Sequence, residues 1–185
     1  MRPRIRRTLR PGDLGTLVAH HSRVYASEYG VDSAFEDHVA SSVARVAGRE
    51  FPTEREAICL VELDGEHVGS IALTDEGDDE AAVRWVLLDP VLRGQGLGGR
   101  LVDEMVVKAR EAGYAMVWLE TFSELRAAAH LYRSHGFKLV SEQTGPRWGR
   151  DAITYQRYEL ELRQTDPKEE EPHRDHRLSH LAERR

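Results

Sequence analysis

One stretch constrains the fold more than any other: VLLDPVLRGQGLGGRLVDEM, residues 86–105. An apolar run ends at Pro90, glycines crowd the next turn, and a helical pattern follows. Leu97, Leu101, Met105 and Ala109 fall on one side of it, with Arg100, Asp103, Lys108 and Glu111 on the other. Gly94, Gly96 and Gly99 fit G-x-G-x-x-G, and Glu120 lies about twenty residues on, as in a dinucleotide-binding turn. That fold needs a parallel βαβ unit whose first glycine follows the strand directly. Here the strand follows a hairpin, so it runs antiparallel to its predecessor, and Asp89 to Arg93 intervene. A P-loop would need Lys followed by Ser or Thr at the helix start, where this chain has Gly99-Arg100. What both motifs share survives: amides of a Gly-rich turn at a helix N-terminus, where the dipole favours an anion. Arg93 adds a cation with several donors. A plain tight turn is the alternative, since glycine also serves wherever a turn needs positive φ.

The rest of the chain supplies the context. RIRRTL reads as an edge strand with solvated arginines, and Asp13 as the cap of a helix carrying Leu14, Leu17, His21, Val24 and Tyr25 at helical spacing. Gly30 ends it. Ser33 and Glu36 form a capping box before Phe35, Val39, Val43 and Val46. AICLVEL and EHVGSIAL join through Asp64-Gly65, a strong hairpin signal. The acidic loop TDEGDDEA leads into AVRWVLL. YAMVWLETF reads as a buried strand, Glu124 to His135 as a helix, and FKLVSE and AITYQRYELEL as strands paired across QTGPRWGRD. The expected class is α/β (α+β), with order β-α-α-β-β-β-α-β-α-β-β: a mixed, mostly antiparallel sheet with helices on both faces.

A chain of 185 residues fits one domain, expected over 1–163. Residues 164–185 are nearly free of apolar side chains, so a disordered tail is expected there. His173, His176 and His180 lie in it with no Cys or fixed acid beside them, and no metal site is expected. The single Cys59 excludes an internal disulfide, no apolar stretch approaches the roughly 18 residues of a membrane helix, and no apolar segment follows the basic start. A cytoplasmic protein without membrane contact is expected. Net charge of −6 argues against nucleic-acid binding, although the first ten residues carry five Arg and no acid. Exposed sheet edges near the last two strands suggest a homodimer. The acids of Asp75 to Glu80 would either attract a cationic acceptor or simply solvate a hairpin connection.

The glycine stretch resembles motif A of the GNAT superfamily of N-acetyltransferases, whose R/Q-x-x-G-x-G/A loop holds the pyrophosphate of acetyl-CoA. AAAHLYRSHGF resembles that superfamily's motif B, the element order is also similar, and the resemblance spans roughly residues 4–162. GDLG, YASEYG, DGEHVGSIAL and LVDEMVVKAREAGY are similar to the acetyltransferase half of chains that fuse a MarR-type DNA-binding domain to a GNAT domain. The resemblance implies acetyl-CoA as cosubstrate, no metal, and direct acetyl transfer to a primary amine of a small or amino-acid-like acceptor. Protein acetylation at an N-terminus or Lys is the alternative, as is a CoA-binding regulatory module without catalysis.

The resemblance also implies roles. Val86, Leu87 and Leu88 would pair with the pantetheine arm through their backbone. Arg93, Gly94, Gln95, Gly96, Leu97, Gly98 and Gly99 would hold the pyrophosphate. Tyr132 would touch the coenzyme and act as general acid toward the CoA sulfur; a buried core tyrosine is the structural alternative. For the base, Glu120 and Glu28 are candidates, with His21, Tyr25 and Glu28 bordering the acceptor. Each has a bland counterpart: a solvated strand residue for Glu120, a core imidazole for His21, a helix-end charge for Glu28. Many members carry Asn near the start of motif B, where this chain has Phe122 and Leu125.

Overall fold

A computed structural model describes residues 3–162. The tail expected from residue 164, with its three histidines, lies outside them. The elements run β1 (Arg4–Arg6), α1 (Asp13–Tyr29), α2 (Ser33–Ala47), β2 (Ala57–Leu63), β3 (Glu66–Gly77), β4 (Glu80–Leu88), a 3-10 turn (Pro90–Leu92), α3 (Leu97–Glu111), β5 (Met116–Phe122), α4 (Arg126–Ser134), β6 (Lys138–Arg147) and β7 (Arg150–Glu161). They form one seven-stranded sheet, ordered β1-β2-β3-β4-β5-β7-β6. Every neighbouring pair is antiparallel except β4 and β5. Strand and helix order and the mixed sheet match the expectation.

Period-two alternation sends the two faces of each strand into different cores. Cys59, Val61, Ile71 and Leu73 pack with Leu101, Met105 and Ala109 of α3 and with Ala129 and Tyr132 of α4. Ile58, Leu60 and Ala72 pack on the other face with Leu17 of α1 and Phe35, Val39, Val43 and Val46 of α2. Each Val, Leu, Ile, Phe or Met among them stabilises the fold by about 1.5–3 kcal/mol when fully buried.

Local details differ from the sequence expectation where a longer-range partner competes. Asp13 is not the cap of α1; Gly12 is, in the left-handed region at φ 93°. The Asp13 carboxylate instead takes Arg6 through two bonds of 2.6 and 2.9 Å, and Arg6 also bonds Glu62 at 2.8 Å. Arg6 is thus buried in an ion-pair network, not solvated, and it holds the Asp13 carboxyl below the usual carboxylate range. Asp32, rather than Ser33, caps α2, its side chain accepting from the Ala34 N–H at 2.9 Å. The acidic connection is no loop: β3 and β4 run to a two-residue turn at Asp78 and Asp79, both at positive φ. β6 and β7 likewise continue through most of QTGPRWGRD to a turn at Trp148-Gly149. There Trp148 folds back into the α1/α2 core, and its carbonyl accepts from the Asp32 N–H at 3.0 Å.

Candidate active site

The sheet opens in its middle. β4 and β5 pair only over Glu80–Ala82 and Met116–Trp118, and beyond that no register joins them. β4 also carries a bulge: Ser70 lies opposite Leu87 but Ala72 opposite Arg84, so β4 holds one extra residue, and Trp85 sits at φ 52°. The bulge shifts the pleat. Ala81 and Val83 face the α3/α4 core before it, Val86 and Leu88 after it, while Arg84 and Trp85 both reach the opposite side. Ser70, fully buried, donates its hydroxyl to the Trp85 carbonyl at 2.7 Å. A trans peptide sets N–H opposite C=O, so the Val86 N–H lies on the side of this peptide away from the Ser70 hydroxyl. The Trp85 indole N–H is held by Ser42 Oγ at 2.8 Å. Gly69 permits the close β3–β4 approach, since a Cβ there would lie 2.7 Å from the Leu87 carbonyl oxygen.

On the α3/α4 side the opening is a cleft of about 470 Å³, walled by Val86, Leu87 and Leu88, by Arg93, Gly94, Gly96, Gly98 and Gly99, by α4, and by Tyr25 and Glu28 of α1. Gly96, at φ 75°, caps α3 without a side-chain bond, leaving first-turn amides free to meet an anion. The motif A and motif B segments thus meet across one groove. Gln95 and Leu97 do not wall it: Gln95 bonds the Val91 carbonyl at 2.7 Å, and Leu97 is buried in the core. Arg93 is not poised over the amides. Its guanidinium takes Glu28 through bonds of 2.8 and 2.9 Å, and its Nε donates to the Leu88 carbonyl at 2.8 Å.

On the α1/α2 side lies a second cavity of about 110 Å³, bordered by Tyr25, Phe35, His38, Val86, Trp118, Glu120, Phe122, Tyr132, Trp148 and Tyr155 among others. Tyr25 and Val86 border both spaces, so the two meet at the parted strands. Tyr132 is 3% exposed, packs against Phe137 and Tyr158, and its hydroxyl makes no hydrogen bond among the described residues. Burial pushes its phenol pKa above the ordinary value, so it keeps its proton. Glu120 accepts from the Tyr155 hydroxyl at 3.0 Å. His21 donates from Nδ1 to the Leu17 carbonyl at 3.0 Å, has the Trp85 carbonyl near it as well, and is pushed down to about 4 by burial, hence neutral at pH 7. Of the acceptor and base candidates, the structure brings His21, Tyr25 and Glu120 to this cavity with Tyr132. It does not bring Glu28, which stays with Arg93 on the cleft side.

The sequence reading missed His38, Trp148 and Tyr155. They come from α2 and the last hairpin: β7 pairs with β5 and sets Tyr155 opposite Phe122, while the inward fold of Trp148 brings it against Phe35 and His38 of α2. The acids of Asp75 to Glu80 prove to be largely engaged: Arg84 and Arg45 lie 3.0 and 3.7 Å from Glu76, and Arg55 lies 3.6 and 3.5 Å from Asp75 and Asp79. Among the described residues, no group of three or more His, Cys, Asp or Glu is placed to hold a metal.

The Acetyltransferase (GNAT) family model matches residues 23–137, which include the parted strands, the glycine turn and α4. The chain belongs to the GNAT family. It is an N-acetyltransferase that uses acetyl-CoA, and the groove with its uncapped α3 amides fits that cosubstrate. N-acetyltransferase YjgM of Escherichia coli is 28% identical over 131 residues, covering 69% of this chain and 78% of that protein. The [ribosomal protein bS18]-alanine N-acetyltransferase of the same species is 34% identical over 70 residues, 38% of this chain and 47% of that one. In fold, the chain is similar to YncA of Salmonella typhimurium, solved with its cofactor acetyl-CoA: TM-score 0.62, 18% identity, 89% of this chain and 96% of that one covered.

Proposed function

We propose that this GNAT enzyme acetylates the primary amine of a small or amino-acid-like molecule, with the thioester at the meeting point of the two cavities. The observation that carries this reading is that meeting point: Tyr25 and Val86 wall both spaces, and the unbonded Tyr132 hydroxyl borders the acceptor side. The backbone of Val86 to Leu88 takes the pantetheine arm as an added strand would. The amides of residues 94–99 take the pyrophosphate, for which Arg93 would leave Glu28.

An amine resembles Lys in being mostly protonated at neutral pH, so it must lose a proton before attack. Glu120, steadied by Tyr155, receives that proton directly or through water. The freed amine attacks the thioester carbonyl, and the Val86 N–H donates to the oxygen as negative charge gathers there. The C–S bond then breaks, Tyr132 protonates the departing sulfur, and the amide product loses its remaining proton to solvent. Tyr132 recovers its own proton from water. His21, neutral and buried, shapes the acceptor wall beside Tyr25.

A second reading, acetylation of a protein N-terminus, is favoured by the match to the bS18-alanine enzyme. The cavity of about 110 Å³ suits a small molecule better than a peptide. We further infer one domain over 1–163, a cytoplasmic location, kinship with MarR–GNAT fusions from the segments quoted above, and a homodimer through β6, an edge strand exposed along nearly its whole length. Among the described residues no helix is long and apolar enough to cross a membrane.

The test is a mass-spectrometric screen: purified enzyme and acetyl-CoA are added to a metabolite mixture, and new acetylated species are sought. Acetylated small amines support the reading. Acetylation confined to added ribosomal or peptide N-termini overturns it in favour of the second.

A further inference from the structure

The charges around the acceptor cavity are unevenly satisfied. Arg84, in its wall, is tied to Glu76 at 3.0 Å and to Thr74 Oγ1 at 3.1 Å. Arg157, stacked on Trp118, is tied to Glu159 at 2.7 Å. Arg147 differs. Its guanidinium lies 4.3 Å from the ring centre of Tyr155 and 4.9 Å from that of Trp148, both cavity-wall rings. It makes no ion pair or hydrogen bond among the described residues. Two aromatic faces hold this exposed cation at the outer edge of the cavity, just beyond the residues that line it, while its N–H fork stays unspent.

The turn that carries Arg147 is fixed. Trp148 is 8% exposed, packs edge-on against Phe35 with ring centres 5.0 Å apart, and accepts the Asp32 N–H through its carbonyl. Tyr155 links this cation to the cavity's carboxylate: its ring lies under Arg147 and its hydroxyl bonds Glu120 at 3.0 Å. One tyrosine therefore separates a free guanidinium from a carboxylate, and Phe35, Phe122 and Trp148 give the rest of the wall a broad aromatic surface beside the polar His38, Ser42 and Thr121. The complement is a molecule with an ammonium, a carboxylate within a few bonds of it, and an apolar side chain. Arg pairs with a carboxylate through two parallel N–H bonds, a geometry that Lys does not reproduce.

We propose that the acceptor is a free α-amino acid with an apolar side chain, and that Arg147 determines this by binding its carboxylate. The inference rests on the small-amine reading above and names its substrate class. A protein Lys brings no carboxylate to this position, and a peptide N-terminus brings an amide.

The experiment compares initial rates of thiol release from acetyl-CoA with the twenty amino acids, the amides and methyl esters of the apolar ones, phenethylamine, and a short peptide. The proposal expects an apolar amino acid to exceed its own amide at least tenfold in kcat/KM. It also expects Arg147→Gln to raise the KM for that amino acid at least tenfold, leaving the KM for acetyl-CoA and the rate with phenethylamine unchanged, with Arg147→Lys in between. Arg147 is exposed, so both variants should fold, and a melting curve checks that. Equal use of acid, amide and phenethylamine overturns the proposal while leaving the small-amine reading standing, as does an Arg147→Gln effect equal for every acceptor. Transfer to the peptide alone, or to nothing, overturns both.

Discussion

Removing one buried hydroxyl should impair the reaction more than the fold. Ser70 is fully buried and its Oγ donates to the Trp85 carbonyl at 2.7 Å, so Ser70→Ala leaves that carbonyl short of its side-chain partner in the bulge. Leaving a buried acceptor unsatisfied costs about 1–3 kcal/mol. For a domain of this size each kcal/mol lowers Tm by about 2–4 °C. The catalytic effect follows a different route. Freed from Ser70, the Trp85–Val86 peptide can tilt, and with it the Val86 N–H proposed above as the oxyanion donor. Deleting an oxyanion donor outright costs about 10²–10³ in kcat, so misaiming one should cost roughly 10–100-fold. Thiol release at saturating acetyl-CoA and acceptor measures kcat, calorimetry measures acetyl-CoA affinity, and a thermal melt measures stability. The expected pattern is a kcat loss of that size, acetyl-CoA affinity within about twofold, and partial recovery in Ser70→Thr, which keeps the hydroxyl. A Ser70→Ala enzyme that melts lower but turns over at the wild-type rate would refute the reasoning.

Three further outcomes follow from the same geometry. Tyr132→Phe should lower kcat by about 10²–10⁴, the usual worth of a positioned acid, with acetyl-CoA binding by calorimetry intact; unchanged turnover would remove Tyr132 from the reaction. Gly96→Ala meets no atom within 4 Å but must hold φ 75°, so its cost of about 1–2 kcal/mol is conformational and falls on the turn. Acetyl-CoA affinity should weaken by roughly 5–30-fold, and an undiminished affinity would count against the turn as its binding site. His21 and His67 are pushed down by burial from 6.5 to about 4. Below pH 6.5 the unfolded chain takes up these protons and the folded chain does not. Stability is therefore whole above pH 6.5 and falls with pH until about 4, by at most about 1.4 kcal/mol per pH unit for each histidine. Melting temperature against pH checks this, and His67→Asn should flatten the slope between 6.5 and 4.

Much of this was legible in the chain because the signals are local. The Asp64-Gly65 turn, the apolar alternation of β2 and β3 and the glycine turn before α3 each act within a few residues, so the element order followed from them. The bulge in β4 is another matter: nothing in AVRWVLL announces a positive φ at a tryptophan, and the buried hydroxyl that bonds its carbonyl, Ser70, lies fifteen residues earlier. Arg6 and Asp13 misled for a related reason: a capping pattern is local, and a buried guanidinium bridging α1 to β2 outcompetes it. Glu28 and Arg93, 65 residues apart, gave no sign of pairing. Trp148 joins Tyr155 in the cavity wall, and Arg147 stacks on both rings, only because the turn of the last hairpin folds in against the start of α2, a tertiary event without a sequence period.

The position of acetyl-CoA in a crystal of the complex tests the central claim most directly. The account predicts the pyrophosphate on the amides of residues 94–99, the thioester carbonyl at the Val86 N–H, and the sulfur within reach of the Tyr132 hydroxyl. A coenzyme seated outside the gap between β4 and β5, or one whose sulfur lies far from Tyr132, would contradict it.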